Sequence, residues 1–533
     1  MRRKGGIPML YQAHRGVSSE YPENTIPAFQ AAVAQGYSLI ELDPSVTKDG
    51  RIVLLHDRTL NRTARHPDGS KLTGEVKLAD LTYAEAAQYD YGLWMGETFR
   101  GTRLPLLEEV LAFARQHNIP LKLDGKYQYF THEAKQALFD LLRPYSHLAS
   151  LTCSRLEEVE LAVRNFPDMH IHYDGPVTRE VLEQLAKLLP RERLTVWLPH
   201  RNEGTAWVRN IPFADKATAD MAKQYGRLGI WIIAKRWHLA DALYLGADII
   251  ETNGALKPGQ EQGLLADMHC HTAFSHDSKC PIEDMFRAQR ERGTAIFAVT
   301  DHCDMNAPDY DGTFGHIKAS CDAVRALNEQ YDHDCLGLRG VELAESFWRP
   351  EGYAALRDLT DYDVVVGSVH SVRYPGYERF YSQVDFSGFT PEQVHGFMAQ
   401  YFADVKTMLL WTDMDVLAHL AGPLYDLSDK YGHPVDMSRH AAAIDEILRV
   451  IIARNIALEL NTSHYHFENC ARFDRELFPR YHALGGRRVT IGSDTHSTAR
   501  AGADLARAAA DLKAVGFGEI CWFKDRRAHF IPI

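Results

Sequence analysis

The chain has 533 residues, too many for one ordinary hydrophobic core, so two domains are expected. With 45% apolar and 24% charged residues it has the composition of a globular protein. A net charge of −12 excludes a general electrostatic grip on nucleic acid or anionic membranes, but not a small phosphorylated substrate whose pocket holds a cation.

The opening stretch, "MRRKGGIPMLYQAHRG", is basic but lacks an apolar h-region, so it does not read as a secretory signal. No segment has the roughly 18 to 20 uninterrupted apolar residues that membrane insertion needs. Eight cysteines without a CxxC pair fit reduced thiols in a cytoplasmic protein. Strands are then predicted at Met9–Ala13, Ser38–Asp43, Arg51–His56, Leu121–Asp124, Leu148–Cys153, His170–Tyr173, Leu194–Leu198, Gly229–Ala234 and Asp248–Thr252. Helical stretches, among them Ile26–Gln35, Leu106–His117 and Thr178–Leu189, fall between them. Such alternation implies parallel pairing, and about eight units close a barrel. The polar stretch Asn253–Gly263 breaks the rhythm and marks a boundary, with domains at 1–255 and 264–533 and a linker at 256–263. Seven further strands follow: Ala266–His269, Ile296–Thr300, Leu336–Val341, Val364–Val369, Val416–His419, Ile456–Leu460 and Arg488–Ser493. Their longer helical crossovers predict a second, less regular α/β barrel.

Catalytic groups of such barrels lie where strands end and βα-loops begin. In the first half one strand ends in His14-Arg15-Gly16, followed by "PENT" at 22–25. The next ends in Glu41-x-Asp43, and its hairpin-like partner in His56-Asp57. Strand periodicity puts Glu41 and Asp43 on one face, where two carboxylates repel unless a cation lies between them. His14 and His56 are placed to act as general base and general acid, as cleavage of a phosphate ester requires. Asp124 and Lys126, in "LKLDGK", add a ligand and a phosphate contact.

The ordered set "HRG…PENT…IELD…TKDGRIVLLHD…LNRT…LPLLEEVL" resembles the glycerophosphodiester phosphodiesterases, over roughly residues 9 to 255. The resemblance implies a TIM (β/α)8 barrel, with His14 and His56 as the acid–base pair and Arg15 and Lys126 at the phosphate. It also implies Glu41, Asp43 and Asp124 as ligands of one divalent cation. Asp124 stands where that family usually has glutamate, which keeps the charge and shortens the reach by one methylene. Oxygen ligands of this kind favour Ca2+ or Mg2+.

Sixteen of the 26 histidines follow residue 265, and their positions matter more than their number. His269, His271, Asp277, His302, Glu342, His370, His419, Asp494 and His496 all fall at or just after strand ends. HxH and DxH at a strand end each place two side chains on one face. Six histidines and three acids in one mouth require metal to offset their desolvation, and they suit two or three of Zn2+, Fe2+ or Mn2+, with Glu342 as the bridging carboxylate. Arg373 and Arg500 follow ligand strands closely and are candidate phosphate clamps. His316, His333, His395, His433, His440, His464, His466 and His482 are read as ordinary. These motifs resemble the PHP (polymerase and histidinol phosphatase) family, in its histidinol-phosphatase-like branch, over about residues 264 to 520. The resemblance implies a distorted (β/α)7 barrel and, at Asp277, the aspartate that this branch has in place of a histidine.

The expected function is a bifunctional phosphoesterase acting on small-molecule phosphoesters. The first barrel would cleave a glycerophosphodiester to glycerol phosphate and an alcohol, and the second would hydrolyse a phosphomonoester. Alternatives are two uncoupled activities, with a histidinol-phosphate phosphatase or a cyclic-phosphate or nucleotide esterase in the second half, or one barrel that senses a phosphorylated ligand. The oligomeric state is left open.

Overall fold

Short apolar runs become parallel strands in the first half because both of their faces are covered, one by helices and one by the barrel interior. In the computed structural model, which describes residues 9–200, 214–261, 263–306, 312–331 and 334–533, the first half has ten strands among the described residues, all but β3 and β4 of this parallel kind: β1 (Leu10–Ala13), β2 (Leu39–Leu42), β3 (Pro44–Val46), β4 (Ile52–Leu54), β5 (Leu121–Leu123), β6 (Ala149–Cys153), β7 (Ile171–Tyr173), β8 (Leu194–Pro199), β9 (Arg227–Trp231) and β10 (Ile249–Thr252). Eight of them close a barrel in the order β1-β10-β9-β8-β7-β6-β5-β2. The predicted strand Arg51–His56 stays outside it: β4 pairs antiparallel with β3, a hairpin that carries His56 to the barrel rim. The three predicted helices form at Ile26–Ala34, Leu107–His117 and Arg179–Leu188, the last capped by Thr178, whose hydroxyl accepts from the Val181 amide.

The interior of this barrel is unusually polar. Gln12, Lys122, His172 and Glu251 are all buried. The Lys122 ammonium donates to Glu251 at 3.0 Å and lies 4.2 Å from the centre of the Trp197 ring, two contacts that offset its desolvation.

The second half builds β11 (Ala266–Cys270), β12 (Ile296–Val299), β13 (His302–Asp304), β14 (Leu336–Ala344), β15 (Val364–Ser368), β16 (Val416–Leu417), β17 (Ala457–Asn461) and β18 (Val489–Gly492). Seven follow one another as β11-β12-β14-β15-β16-β17-β18, and the short β13 pairs with the far end of β14. The seam between β11 and β18 is held past the strand proper, by a Cys270–Thr495 bridge. There the Asp494 amide donates to the His269 carbonyl (2.8 Å) and the His271 amide to the Thr495 carbonyl (2.9 Å). The result is a distorted seven-stranded barrel, nearly closed, as expected. A C-terminal hairpin, β19 (Glu519–Lys524) and β20 (Arg527–Pro532), was not predicted. Its turn is tied down by Arg526, whose Nε donates to Asp415 at 2.5 Å.

Two compact units change over at residue 263. The stretch before that point, predicted as a linker, is bound to the first unit: the Tyr37 hydroxyl donates to the Leu256 carbonyl (2.6 Å) and the Tyr11 hydroxyl to Glu261 (2.5 Å). Among the described residues no helix is long and apolar enough to cross a membrane.

Candidate functional sites

At the mouth of the first barrel the ligand atoms of Glu41, Asp43 and Asp124 lie within 4.8 Å of one another. Glu41 and Asp43 are buried. Burial, reinforced by the charges of Asp43 and Glu251, raises the pKa of Glu41 well above the usual carboxylate range. Asp43 goes the other way: burial works against its charge, but Lys126 and Arg15 outweigh it and hold the pKa low. Lys126 Nζ reaches Asp43 at 2.5 Å and Arg15 Nε at 3.1 Å, while the Arg15 amide donates to Glu41 at 2.9 Å. Three converging acids, one of them short of compensation, fit a hard divalent cation.

The local chain path explains these positions. Arg15 and Gly16 both take left-handed backbone angles after β1, turning the chain so that the Arg15 amide faces Glu41. A Cβ on Gly16 would sit 2.7 Å from that of Ala28, so "HRG" needs its glycine. His14 is fixed at Nδ1 by the Asn253 amide oxygen (2.6 Å), and its Nε2 lies 3.9 Å from both Glu41 and Glu251. Burial lowers its pKa, partly countered by Glu251. His56 is bound at Nδ1 by Asp57 (2.6 Å), which Arg62 also grips. Burial opposes the Asp57 charge, but Arg62 and His56 bring its pKa down to about 2.

Sequence reasoning passed over several groups here. Asn24, in "PENT", donates to Asp43 at 2.7 Å and accepts from its amide, and Glu23 pairs with Arg15 and Arg62. Asn253 and the Lys122–Glu251 pair complete the surroundings of His14. Only "PENT" gave a local signal. The others are single polar residues in or just after apolar strands, which acquire meaning once the barrel closes.

The second cluster is denser. Four overlapping groups have ligand atoms within 4.8 Å of one another: His271 with His302 and His496; His269 with His419 and Asp494; His269 and His271 with Glu342; His302 and His370 with Glu342. Glu342 is the hub. Its Oε2 lies 2.8 Å from His302 Nδ1, 3.4 Å from His269 and 3.5 Å from His271, and its Oε1 lies 2.8 Å from His419 and 3.2 Å from His370. Asp277 stands at the edge, 3.1 Å from His496 Nε2 and 3.4 Å from His302 Nε2.

This packing is what metal ligands require. The Nε2 atoms of His269 and His271 face each other at 3.0 Å. Buried Glu342 Oε2, His302 Nδ1 and His496 Nε2 make no aligned hydrogen bond despite their close neighbours. Burial, with His302 and His496 alongside, pushes the His271 pKa down to about 3, leaving a neutral imidazole ready to donate a lone pair. Burial disfavours the Glu342 charge, yet His302, His370 and His269 hold its pKa far below the usual range.

Strand alternation does not bring Asp494 and His496 together, contrary to expectation. They lie beyond β18 on a turn in which Asp494 has a φ of 49°. Gly492 starts that turn, and a Cβ there would meet Glu459 Oε1 at 2.2 Å and His269 Cβ at 2.6 Å. The candidate clamps are elsewhere. Arg373 is held by Asp404, at 2.8 Å from Nε and 2.7 Å from Nη2, and its guanidinium lies over the Phe347 ring. Arg500 contacts His466 at 2.6 Å. Neither lines the cavity, of about 430 Å³, onto which Glu342, His370, Asp494 and His496 open. His333 falls outside the described residues.

The groups that orient the ligands were also unforeseen. Glu459 binds His269 Nδ1 (2.7 Å) and the His419 amide (2.9 Å), Asp304 binds His370 Nδ1 (2.8 Å), and Ser275, donating to Asp301, contacts His271 Nδ1 (3.1 Å). Such partners fix tautomer and ring orientation. Glu459→Gln is therefore expected to weaken metal binding by about 10- to 100-fold with the fold retained, as read by metal titration and a melting curve.

Two α/β barrels each carry a buried acid or acid–histidine cluster at the mouth, and the families they match make the chain a hydrolase of phosphoric esters. Residues 14–155 match the glycerophosphoryl diester phosphodiesterase family and residues 267–463 the PHP domain. The chain belongs to the glycerophosphoryl diester phosphodiesterase family through its first barrel, and its second barrel is a PHP domain. A glycerophosphodiester phosphodiesterase of Bacillus altitudinis is 33% identical over 203 residues, which cover 32% of this chain and 80% of that protein. A probable histidinol-phosphatase of Clostridium acetobutylicum is 29% identical over 238 residues, covering 44% and 87%. Among solved structures, histidinol phosphate phosphatase from Lactococcus lactis, complexed with zinc, L-histidinol and phosphate, aligns with 50% of this chain and 98% of its own (20% identity, TM-score 0.43).

Proposed function

We propose that the chain is a bifunctional phosphoesterase with domains at 1–255 and 264–533, whose two halves act in sequence. The first barrel hydrolyses a glycerophosphodiester to glycerol phosphate and an alcohol, and the second releases phosphate from a monoester of that kind. One observation carries the reading: two separate clusters, one of acids and one of acids and histidines, lie at two barrel mouths of a single chain. The order of the steps is supported by chemistry, since the product of diester cleavage is a substrate for a monoesterase.

In the first barrel Glu41, Asp43 and Asp124 hold Ca2+ or Mg2+, and in the second the nine ligands hold two or three of Zn2+, Fe2+ or Mn2+. Bound there, the ions offset charge that develops on the phosphoryl oxygens. The remaining work belongs to side chains. His14, with Nδ1 occupied by Asn253, presents Nε2 as the general base, and His56, with Nδ1 on Asp57, presents Nε2 as the general acid to the departing alcohol. Arg15 and Lys126 hold the phosphate against the acids that line it. In the second barrel Glu342 keeps five imidazoles at fixed spacing.

Purified chain supplied with glycerophosphocholine and divalent metal is expected to release choline and then inorganic phosphate. Exhaustive chelation is expected to abolish both signals. Ca2+ or Mg2+ should restore choline release, and phosphate release should return only with a transition ion. Choline release that survives chelation refutes the first assignment. Phosphate release from histidinol phosphate but not from glycerol phosphate would uncouple the two halves.

A further inference from the structure

The turn after β17, "NTSHYH", carries two histidines that no sequence pattern separates. The structure separates them. His466 is half exposed and meets Arg500 and Asp504. His464 is buried, with 6% of its surface exposed, and lines the same cavity as Glu342, Asp494 and His496. Its Nδ1 is bound by Asp474 at 2.7 Å, from the helix Glu468–Ala483. Asp474 is itself 8% exposed. The His464 Nε2 has no hydrogen-bond partner among the described residues. The turn is anchored at the metal-ligand cluster, because Asn461 at its start donates to Asp494 at 3.1 Å.

We propose that His464, oriented by Asp474, is the general acid of the second barrel, protonating the alcohol that leaves when the phosphomonoester is cleaved. This rests on the monoesterase reading above. A carboxylate on Nδ1 fixes the tautomer and stabilises the imidazolium, leaving the Nε2 proton for delivery into the cavity. Burial works against the charged ring, but the charge and hydrogen bond of Asp474 outweigh it, so its pKa lies above the ordinary histidine value. Other titratable groups on the wall are less suited. Asp426 is paired with Lys430, His276 is more than half exposed, and burial holds the Tyr381 proton tightly. The ligand imidazoles are committed to their acids.

In the step itself the oxygen of water bonds to phosphorus as the bond from phosphorus to the alcohol oxygen breaks. That alcohol oxygen takes the Nε2 proton of His464, Asp474 remains ionised, and the second proton of the water re-protonates the imidazole through solvent. The products are the alcohol and hydrogen phosphate.

The test is the leaving group. Glycerol phosphate and histidinol phosphate expel a strongly basic alkoxide, whereas p-nitrophenyl phosphate expels a phenolate that is stable without a proton. In the full chain His464→Asn is expected to lower kcat on the alkyl phosphates by about 10²-fold or more, and on p-nitrophenyl phosphate by less than about 3-fold, with KM and metal content retained. Asp474→Asn should show the same split at smaller amplitude, and it carries the test if His464→Asn does not fold. Equal losses on both ester types, or none on the alkyl esters, overturn the general-acid role and leave the monoesterase reading standing. Wild-type chain, loaded with each candidate metal, that turns over neither ester type overturns both.

Discussion

Glu342→Gln is expected to abolish phosphate release while leaving diester cleavage by the first barrel intact. The substitution keeps the shape of the side chain and removes its charge and one of its two equivalent acceptors. At present both carboxylate oxygens face imidazoles, five in all, at 2.8 to 3.5 Å. An amide would turn an N–H toward one side of that set, a donor where only an acceptor or ligand is tolerated. Charge stabilisation by bound metal amounts to several kcal/mol of barrier, and at about 1.4 kcal/mol per decade its loss means roughly 10³-fold or more in rate. Metal per chain, measured by elemental analysis, should fall with the activity. Glu342→Asp restores the charge but withdraws the oxygens by one methylene, so it should recover metal without full activity. A Glu342→Gln enzyme with its full metal complement and unchanged phosphate release would end the assignment of Glu342 as the shared ligand.

Glu342 shows why much of this molecule was legible in the sequence. It interrupts an apolar run near the end of β14, and charged residues in or at the ends of buried runs are rare unless something holds them. The same logic picked out most of the other groups of that cluster and the three acids of the first barrel, while Asp277, in a loop past β11, came with the family resemblance. It stopped where the chain leaves the strands. Asp494 and His496 were grouped for the right reason and placed by the wrong geometry, because a left-handed residue after β18 overrides strand alternation. Glu459 and Asp304 look like stray acids until the barrel brings His269 and His370 against them. Arg373 shows the opposite error. An arginine just past a ligand strand invites a phosphate, yet Asp404, on the helix Pro391–Trp411, binds it, and neither residue lines the cavity. Competition for one guanidinium is decided by residues distant in the chain, and a local pattern does not contain them. His464 was set aside with seven other histidines for the same reason: its partner Asp474 and its cavity exist only in three dimensions.

For the first barrel, His14→Asn and His56→Asn are each expected to lower choline release from glycerophosphocholine by about 10² to 10⁴-fold, the usual contribution of positioned acid–base groups. Phosphate release from a supplied monoester should not change. The two histidines serve one displacement, so the double variant should lose little more than the worse single one, as residues acting as a unit do. Their supports differ, and this separates the roles. Asp57 holds His56 through Nδ1 and is itself held by Arg62. Asp57→Asn should therefore impair the step that needs a charged His56, and should do so more on esters with basic leaving alcohols than on a nitrophenyl diester. Asn253 offers His14 a neutral acceptor, which fixes the ring without stabilising its charge. Asn253→Ala should slow both kinds of ester alike, because a misaligned base hinders attack whatever leaves. If Asp57→Asn and Asn253→Ala gave the same leaving-group profile, the division into acid and base would fail even though both histidines remained essential.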